Sequence, residues 1–196
     1  MKLLQLVPAA ALALMLASCS ETPKQDNATN NADTAVLKSN SEPSPTAPAA
    51  DAWAAVDWNS PVVKYDEVKT TDVTIRGNDQ YGLYSLGENV LFETGKATIK
   101  SNAANNLKDV AASINQRYGS GKVKVYGYTD ATGSADANAA LSRERAEAVK
   151  TWLVSNGNIA EDRISLYAEG EGHPAANNDN AAGREQNRRV EIAAMK

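Results

Sequence analysis

The sequence of 196 residues holds one cysteine and one histidine. One cysteine closes no internal disulfide, and neither residue is numerous enough for a cysteine- or histidine-rich metal site. Positive charge is not in excess. Lys and Arg number 20 against 24 Asp and Glu, a net charge of −4, which lacks the basic balance of a nucleic-acid binder. No apolar run reaches the roughly 20 residues that a membrane helix needs. No phosphate-binding glycine loop is present either: Gly170 and Gly172 lead into His173-Pro174, not into a helix start, so no dinucleotide cofactor is implied. What remains is 42% hydrophobic and 22% charged. That composition suits one globular domain with additional chain, and neither a collagen, a coiled coil nor a wholly disordered protein.

The additional chain comes first. Lys2 precedes an apolar run from Leu3 to Leu16, interrupted by Gln5 and Pro8, and this reads as a signal peptide covering residues 1–18. The segment Leu16-Ala17-Ser18-Cys19 resembles the lipobox of bacterial lipoproteins. The resemblance implies that Cys19 is lipidated and becomes the first mature residue, and Ser20, in place of Asp, permits sorting to the outer membrane. Residues 19–52 follow as a tether. Four of the seven prolines lie between Ser20 and Ala50, where Val36 and Leu37 are the only large apolar residues. Such a segment buries too little surface to offset its ordering entropy. As a flexible coil it averages roughly 30 Å end to end.

Residues 53–88 form an extension. Val73 and Ile75 alternate with polar residues, then come Gly77-Asn78-Asp79, then Tyr81, Leu83 and Ser85. Alternation around a Gly-Asn turn predicts a β-hairpin. The compact domain is expected at 89–196. Val90-Leu91-Phe92 reads as a short strand, and Ile99, Ala103, Leu107, Val110, Ala111 and Ile114 lie at helical spacing, predicting a helix near 98–117. A strand follows at 123–128, a helix at about 136–156 stopped by Gly157, a strand at 164–168, a short helix at 181–186 and a last strand at 190–194. The order βα-βα-β-(α)-β predicts an α+β two-layer sandwich, with helices on one face of a mixed four-stranded sheet and the hairpin in front of it.

One residue in the second long helix breaks the pattern. Arg145 lies on the same side as Leu141, Ala148, Val149, Trp152 and Leu153. A cation held there loses water and needs an anion. Asp130, in the loop before the helix, is the nearest candidate. A structural Arg–Asp pair, or an arginine that snorkels to solvent, satisfies the pattern as well as a ligand site does.

Four motifs in order extend the argument. Gly127-Tyr128-Thr129-Asp130-Ala131-Thr132-Gly133, the helix Asn138-x-x-Leu141-Ser142-x-x-Arg145-Ala146, the closing Asn187-Arg188-Arg189-Val190-Glu191-Ile192 and the opening Val90-Leu91-Phe92-Glu93-Thr94-Gly95-Lys96 together resemble the OmpA-like C-terminal domain. With the lipobox, the chain is similar to an OmpA-family outer-membrane lipoprotein. The resemblance implies a non-enzymatic, peptidoglycan-binding domain that faces the periplasm, needs no cofactor or metal and holds the diaminopimelate of the stem peptide. In that reading Asp130 takes the ligand ammonium and Arg145 forks onto its carboxylate. Asn138, Thr132, Thr94 and Arg188 match further positions of the pocket. Other envelope proteins are possible partners, and nucleic acid is not one. Gly95 and Glu93 depart from the family pattern, where a polar side chain and Asp are common. The alternative is a wall hydrolase using Glu169, Glu171 or His173. If the strand continues, Glu169 and Glu171 point the same way, yet no nucleophile motif accompanies His173.

Overall fold

The computed structural model describes residues 52–196. The expected signal peptide, the lipidation of Cys19 and all but the last residue of the tether lie outside the described residues. In chain order the elements are β1 (Val73–Gly77), β2 (Tyr81–Gly87), α1 (Glu88–Leu91), α2 (Ala103–Tyr118), β3 (Val123–Tyr128), α3 (Ala135–Asn156), β4 (Ile164–Gly170), α4 (Ala181–Asn187) and β5 (Arg189–Met195), with 3-10 turns at Ala52–Ala55 and Glu161–Arg163. One five-stranded sheet has the order β1-β2-β5-β3-β4. All its pairings are antiparallel except β3 with β4.

The sheet has one strand more than the expected sandwich of four, because the hairpin adds two strands and the strand expected at 90–92 is not among them. β2 pairs with β5 along its whole length, from Tyr81 opposite Met195 to Gly87 opposite Arg189. The turn between β1 and β2 is set by Gly77 at φ +133, where an added Cβ would lie 2.3 Å from Tyr81 O. Asn78 Oδ1 then accepts from the backbone of Gln80 and Tyr81.

The strand expected at Val90-Leu91-Phe92 is instead the end of the single-turn helix α1. An apolar triplet suits a buried helix turn as well as a strand. Glu88 N donates to Arg188 O, and Phe92 N to Glu88 O, which winds the chain here. Phe92 then bridges to Ile99, and Lys100 N donates to Leu91 O. That contact holds residues 98–102 out of the helix and delays α2 to Ala103.

Leu107, Val110, Ala111 and Ile114 of α2 are buried and meet Val149 and Leu153 of α3 over Val123, Val125, Val190 and Ile192. α3 starts on Ser134, whose Oγ accepts from Ala137 N. It lies very close to β3: a Cβ on Gly127 would sit 2.1 Å from Ser142 O. The opposite sheet face carries Tyr81, Leu83, Tyr126, Tyr128 and Ala193, packed under Val56 and Trp53.

A strap from residue 65 to 70 ties the front of the chain to α2. Arg117 donates from Nε to Glu67 Oε1 at 2.5 Å and from Nη2 to Oε2 at 3.1 Å. Ser113 Oγ donates to the same carboxylate, and Lys69 N donates to Asp109. The Arg117 hydrogen bonds hold the Glu67 carboxyl down to about 2 against the burial that would raise it.

Candidate functional site

The buried stripe of α3 changes character along its length. Asn138, Ser142 and Arg145 at the N-terminal half are polar, whereas Ala146, Val149 and Leu153 beyond them are apolar. The apolar half is core. Asn138 and Arg145 of the polar half line a cleft of about 270 Å³ at the end of the sheet, together with Glu88, the Thr94–Gly95 turn, the Thr129–Thr132 loop and Arg188. Asp130, Arg145, Asn138, Thr132, Thr94 and Arg188, all singled out from sequence, thus come together in one place.

Their connections differ from the simplest expectation. Arg145 is 1% exposed, and its ion partner is Glu88, which receives Nη2 on Oε1. Arg145 Nε donates to Lys96 O at 3.2 Å. Glu88 Oε2 pairs with Arg188 Nε at 2.7 Å, and Arg188 Nη1 continues to Asp130 Oδ2 at 2.8 Å. The result is an alternating chain, Arg145–Glu88–Arg188–Asp130. No ion pair joins Asp130 directly to Arg145, which removes the structural Arg–Asp pair as the reason for the buried guanidinium.

Glu88 is the residue that sequence reading missed. One signal was available: two arginines and one aspartate leave an unbalanced positive charge, and a buried cation without an anion is very costly. Glu88 sits at the first position of α1, at the end of β2, where pairing of β2 with β5 brings it beside Arg188.

Burial alone would raise the Asp130 carboxyl. The hydrogen bond from Arg188, bonds from Thr132 and the Arg188 charge outweigh burial and hold it below the ordinary value. Burial lowers the Arg145 guanidinium, opposed by Glu88, while the Asp130 hydrogen bond raises Arg188. Four charged groups cancel in pairs, so the cleft carries no net charge. Among the described residues, Arg145 Nη1 and Thr129 Oγ1 are buried without a hydrogen-bond partner, and both residues line this cleft. A buried donor without a partner costs about 1–3 kcal/mol, so an arriving acceptor is favoured at Arg145 Nη1.

The three residues of the hydrolase alternative are divided. Glu171 Oε2 accepts from Asn138 Nδ2 at 2.7 Å, on the side of this cleft. Glu169 approaches His173 Nε2 at 3.4 Å, and both line a different cleft on the other sheet face. The expectation that Glu169 and Glu171 share a direction fails because the strand ends between them, where Gly170 adopts φ +55.

The chain as a whole is similar to several known proteins. Residues 91–188 match the OmpA family. The Escherichia coli protein named "Probable lipoprotein YiaD" is 37% identical over 127 residues, covering 65% of this chain and 57% of the relative. Outer membrane protein P5 of Haemophilus influenzae is 40% identical over 119 residues, covering 56% of this chain and 33% of that protein. The chain thus spans little more than half of one relative and a third of the other. Among solved structures, the cell wall anchor of the T6SS from Pseudomonas aeruginosa superposes with a TM-score of 0.58 at 25% identity, over 66% of this chain and 92% of that one. The periplasmic domain of Helicobacter pylori MotB gives 0.56 at 25% identity, over 63% and 82%.

Proposed function

The chain belongs to the OmpA family, and from that premise we propose that it binds peptidoglycan non-covalently through the diaminopimelate of the stem peptide, without turning it over. A lipid on Cys19 holds the chain at the outer membrane, and residues 19–52 span the distance from that anchor to the wall. Residues 53–196 supply the binding domain in the periplasm. The name of the Pseudomonas relative, a cell wall anchor, supports the same kind of task here.

The observation that carries the reading is the pairing, in one neutral cleft, of an ionised acid with a buried guanidinium that has a free donor. Diaminopimelate within a stem peptide presents an ammonium and a carboxylate, and its net charge there is zero. Asp130 accepts the ammonium. Its Oδ2 already takes Arg188 and its Oδ1 the Thr132 N–H, yet a carboxylate has about four acceptor sites. Arg145 Nη1 donates to the ligand carboxylate, with Arg188 beside it. Glu88 cancels one of the two arginine charges, so the cleft favours a zwitterion over a simple anion. Asn138 Nδ2 donates to Asp130 O and to Glu171 and fixes the loop against α3. Thr132 and Thr94 form the exposed lip. Each charged bond contributes about 1.5–3 kcal/mol, so one stem binds weakly, and a polymer of many stems beside a tethered domain raises the effective affinity.

Co-sedimentation with purified sacculi tests this. Wild type is expected to pellet, free diaminopimelate to compete, and Asp130→Ala and Arg145→Lys to stay largely in the supernatant with unchanged circular dichroism. Retained pelleting by both variants overturns the reading. Release of soluble wall fragments during the incubation would restore the hydrolase alternative.

A further inference from the structure

The outer sheet face, away from the helices, is only half covered. Residues 52–60 cross it and bury Val56 against Tyr81, Leu83 and Ala193. The remainder forms an open cleft of about 560 Å³, inside the range of about 300–1,000 Å³ usual for small-molecule sites. Trp58, 37% exposed, forms one wall and stands edge-on to Tyr126 at 5.1 Å. Tyr126 is stacked between Tyr128 at 6.3 Å and Tyr167 at 4.8 Å. The Arg189 guanidinium lies 3.8 Å over the Tyr128 ring.

The polar groups of this cleft define its ligand class. Arg189 Nε donates to Glu191 at 2.8 Å, Glu169 faces His173, and Arg76 also lines the cleft. Two arginines and two glutamates cancel, so neither an anion nor a cation is called for. The exposed Trp58 ring, backed by the buried Tyr126 and Tyr128, beside paired charged donors and acceptors suits a ligand with apolar C–H faces and many hydroxyls, which is a sugar.

The cleft also adjoins the first one. Tyr128 lines the outer cleft and Asp130, two residues on, lines the inner, a reach of at most roughly 7 Å along the chain. Arg189 and Arg188 divide between the clefts in the same way. The geometry points to a second binding site, on the outer face, for the N-acetylhexosamine glycan of the same wall polymer, so that the stem peptide and its sugar are held over one end of the sheet. This rests on the wall-binding reading above.

Isothermal titration of the full chain with two separate probes tests it: a peptide-free tetramer of β-1,4-linked N-acetylglucosamine, and free diaminopimelate. Both are expected to bind, without competing. Trp58→Ala is expected to lower tetramer affinity about tenfold, and Arg76→Gln about threefold, each leaving diaminopimelate affinity within about twofold. Asp130→Asn is expected to do the reverse. Diaminopimelate binding without saturable tetramer binding overturns the glycan site alone. Tetramer binding without diaminopimelate binding supports the glycan site and overturns the zwitterion reading. Unchanged tetramer affinity in both Trp58→Ala and Arg76→Gln overturns the assignment to this cleft. Concentration-dependent dimerisation abolished by Trp58→Ala, with no tetramer binding, assigns the cleft to a second copy and likewise overturns it.

Discussion

At the residue scale, Glu88 decides both whether the cleft is stable and whether it is neutral. It takes Arg145 Nη2 and Gly95 N on Oε1 and Arg188 Nε on Oε2. Glu88→Gln leaves a buried guanidinium uncompensated, and breaking such a pair costs about 3–5 kcal/mol. The midpoint of urea denaturation should fall accordingly. The double variant Glu88→Leu/Arg145→Met removes both charges and should recover part of that loss, yet bind no sacculi. Stability and binding then separate, which a purely structural ion pair does not predict. Asp130 and Arg145 were legible in sequence because their motifs are local. Glu88 was not, since its importance arises from a strand pairing across 100 residues of chain.

A second residue-scale expectation concerns acid. The Glu67 carboxyl is lowered from the ordinary 4.5 to about 2 by Arg117. A folded-state value below the unfolded one means stability that is fully present above pH 4.5 and is lost as pH falls toward about 2. Glu67→Gln should cost about 1–2 kcal/mol at neutral pH. Plots of melting temperature against pH for wild type and variant should run apart above 4.5 and converge in acid.

At the scale of elements, the fit of α3 on β3 sets the position of Arg145. Gly127→Ala places a methyl carbon against Ser142 O, so α3 must move away from β3. We expect a loss of about 2–3 kcal/mol and, because α3 shifts, weaker pelleting with sacculi. Ser134→Ala, which removes only the helix cap, should cost about 1 kcal/mol and leave binding nearly intact. The period of α3 was readable, and Arg145, Val149 and Leu153 are buried as expected, but the stripe also takes in Asn138, Ser142 and Ala146 and leaves Leu141, Ala148 and Trp152 half-buried. Apolar residues alone misplace a helix whose buried face is half polar. The α1 turn was misread for a related reason: three apolar residues carry no period.

At the scale of the whole molecule, the helix layer and the mixed sheet followed from the alternation of periods along the chain. The place of the hairpin did not follow, since strand order depends on partners distant in sequence. Its position has a measurable result. A fragment beginning at residue 89 lacks β1 and β2, uncovers one edge of β5 and loses Glu88. It should show no cooperative thermal transition and should aggregate, whereas residues 52–196 should unfold in a single step by circular dichroism.

The middle place of β5 also fixes an order of assembly. Among the described strands it is made last, yet both β2 and β3 wait for it. During synthesis, each of those strands presents an unpaired edge until β5 arrives, and open edges are templates for misassociation. A ribosome that stops short of β5 leaves a gap at the centre of the sheet rather than a frayed end, so a prematurely terminated chain has nothing to close around and becomes a substrate for proteolysis.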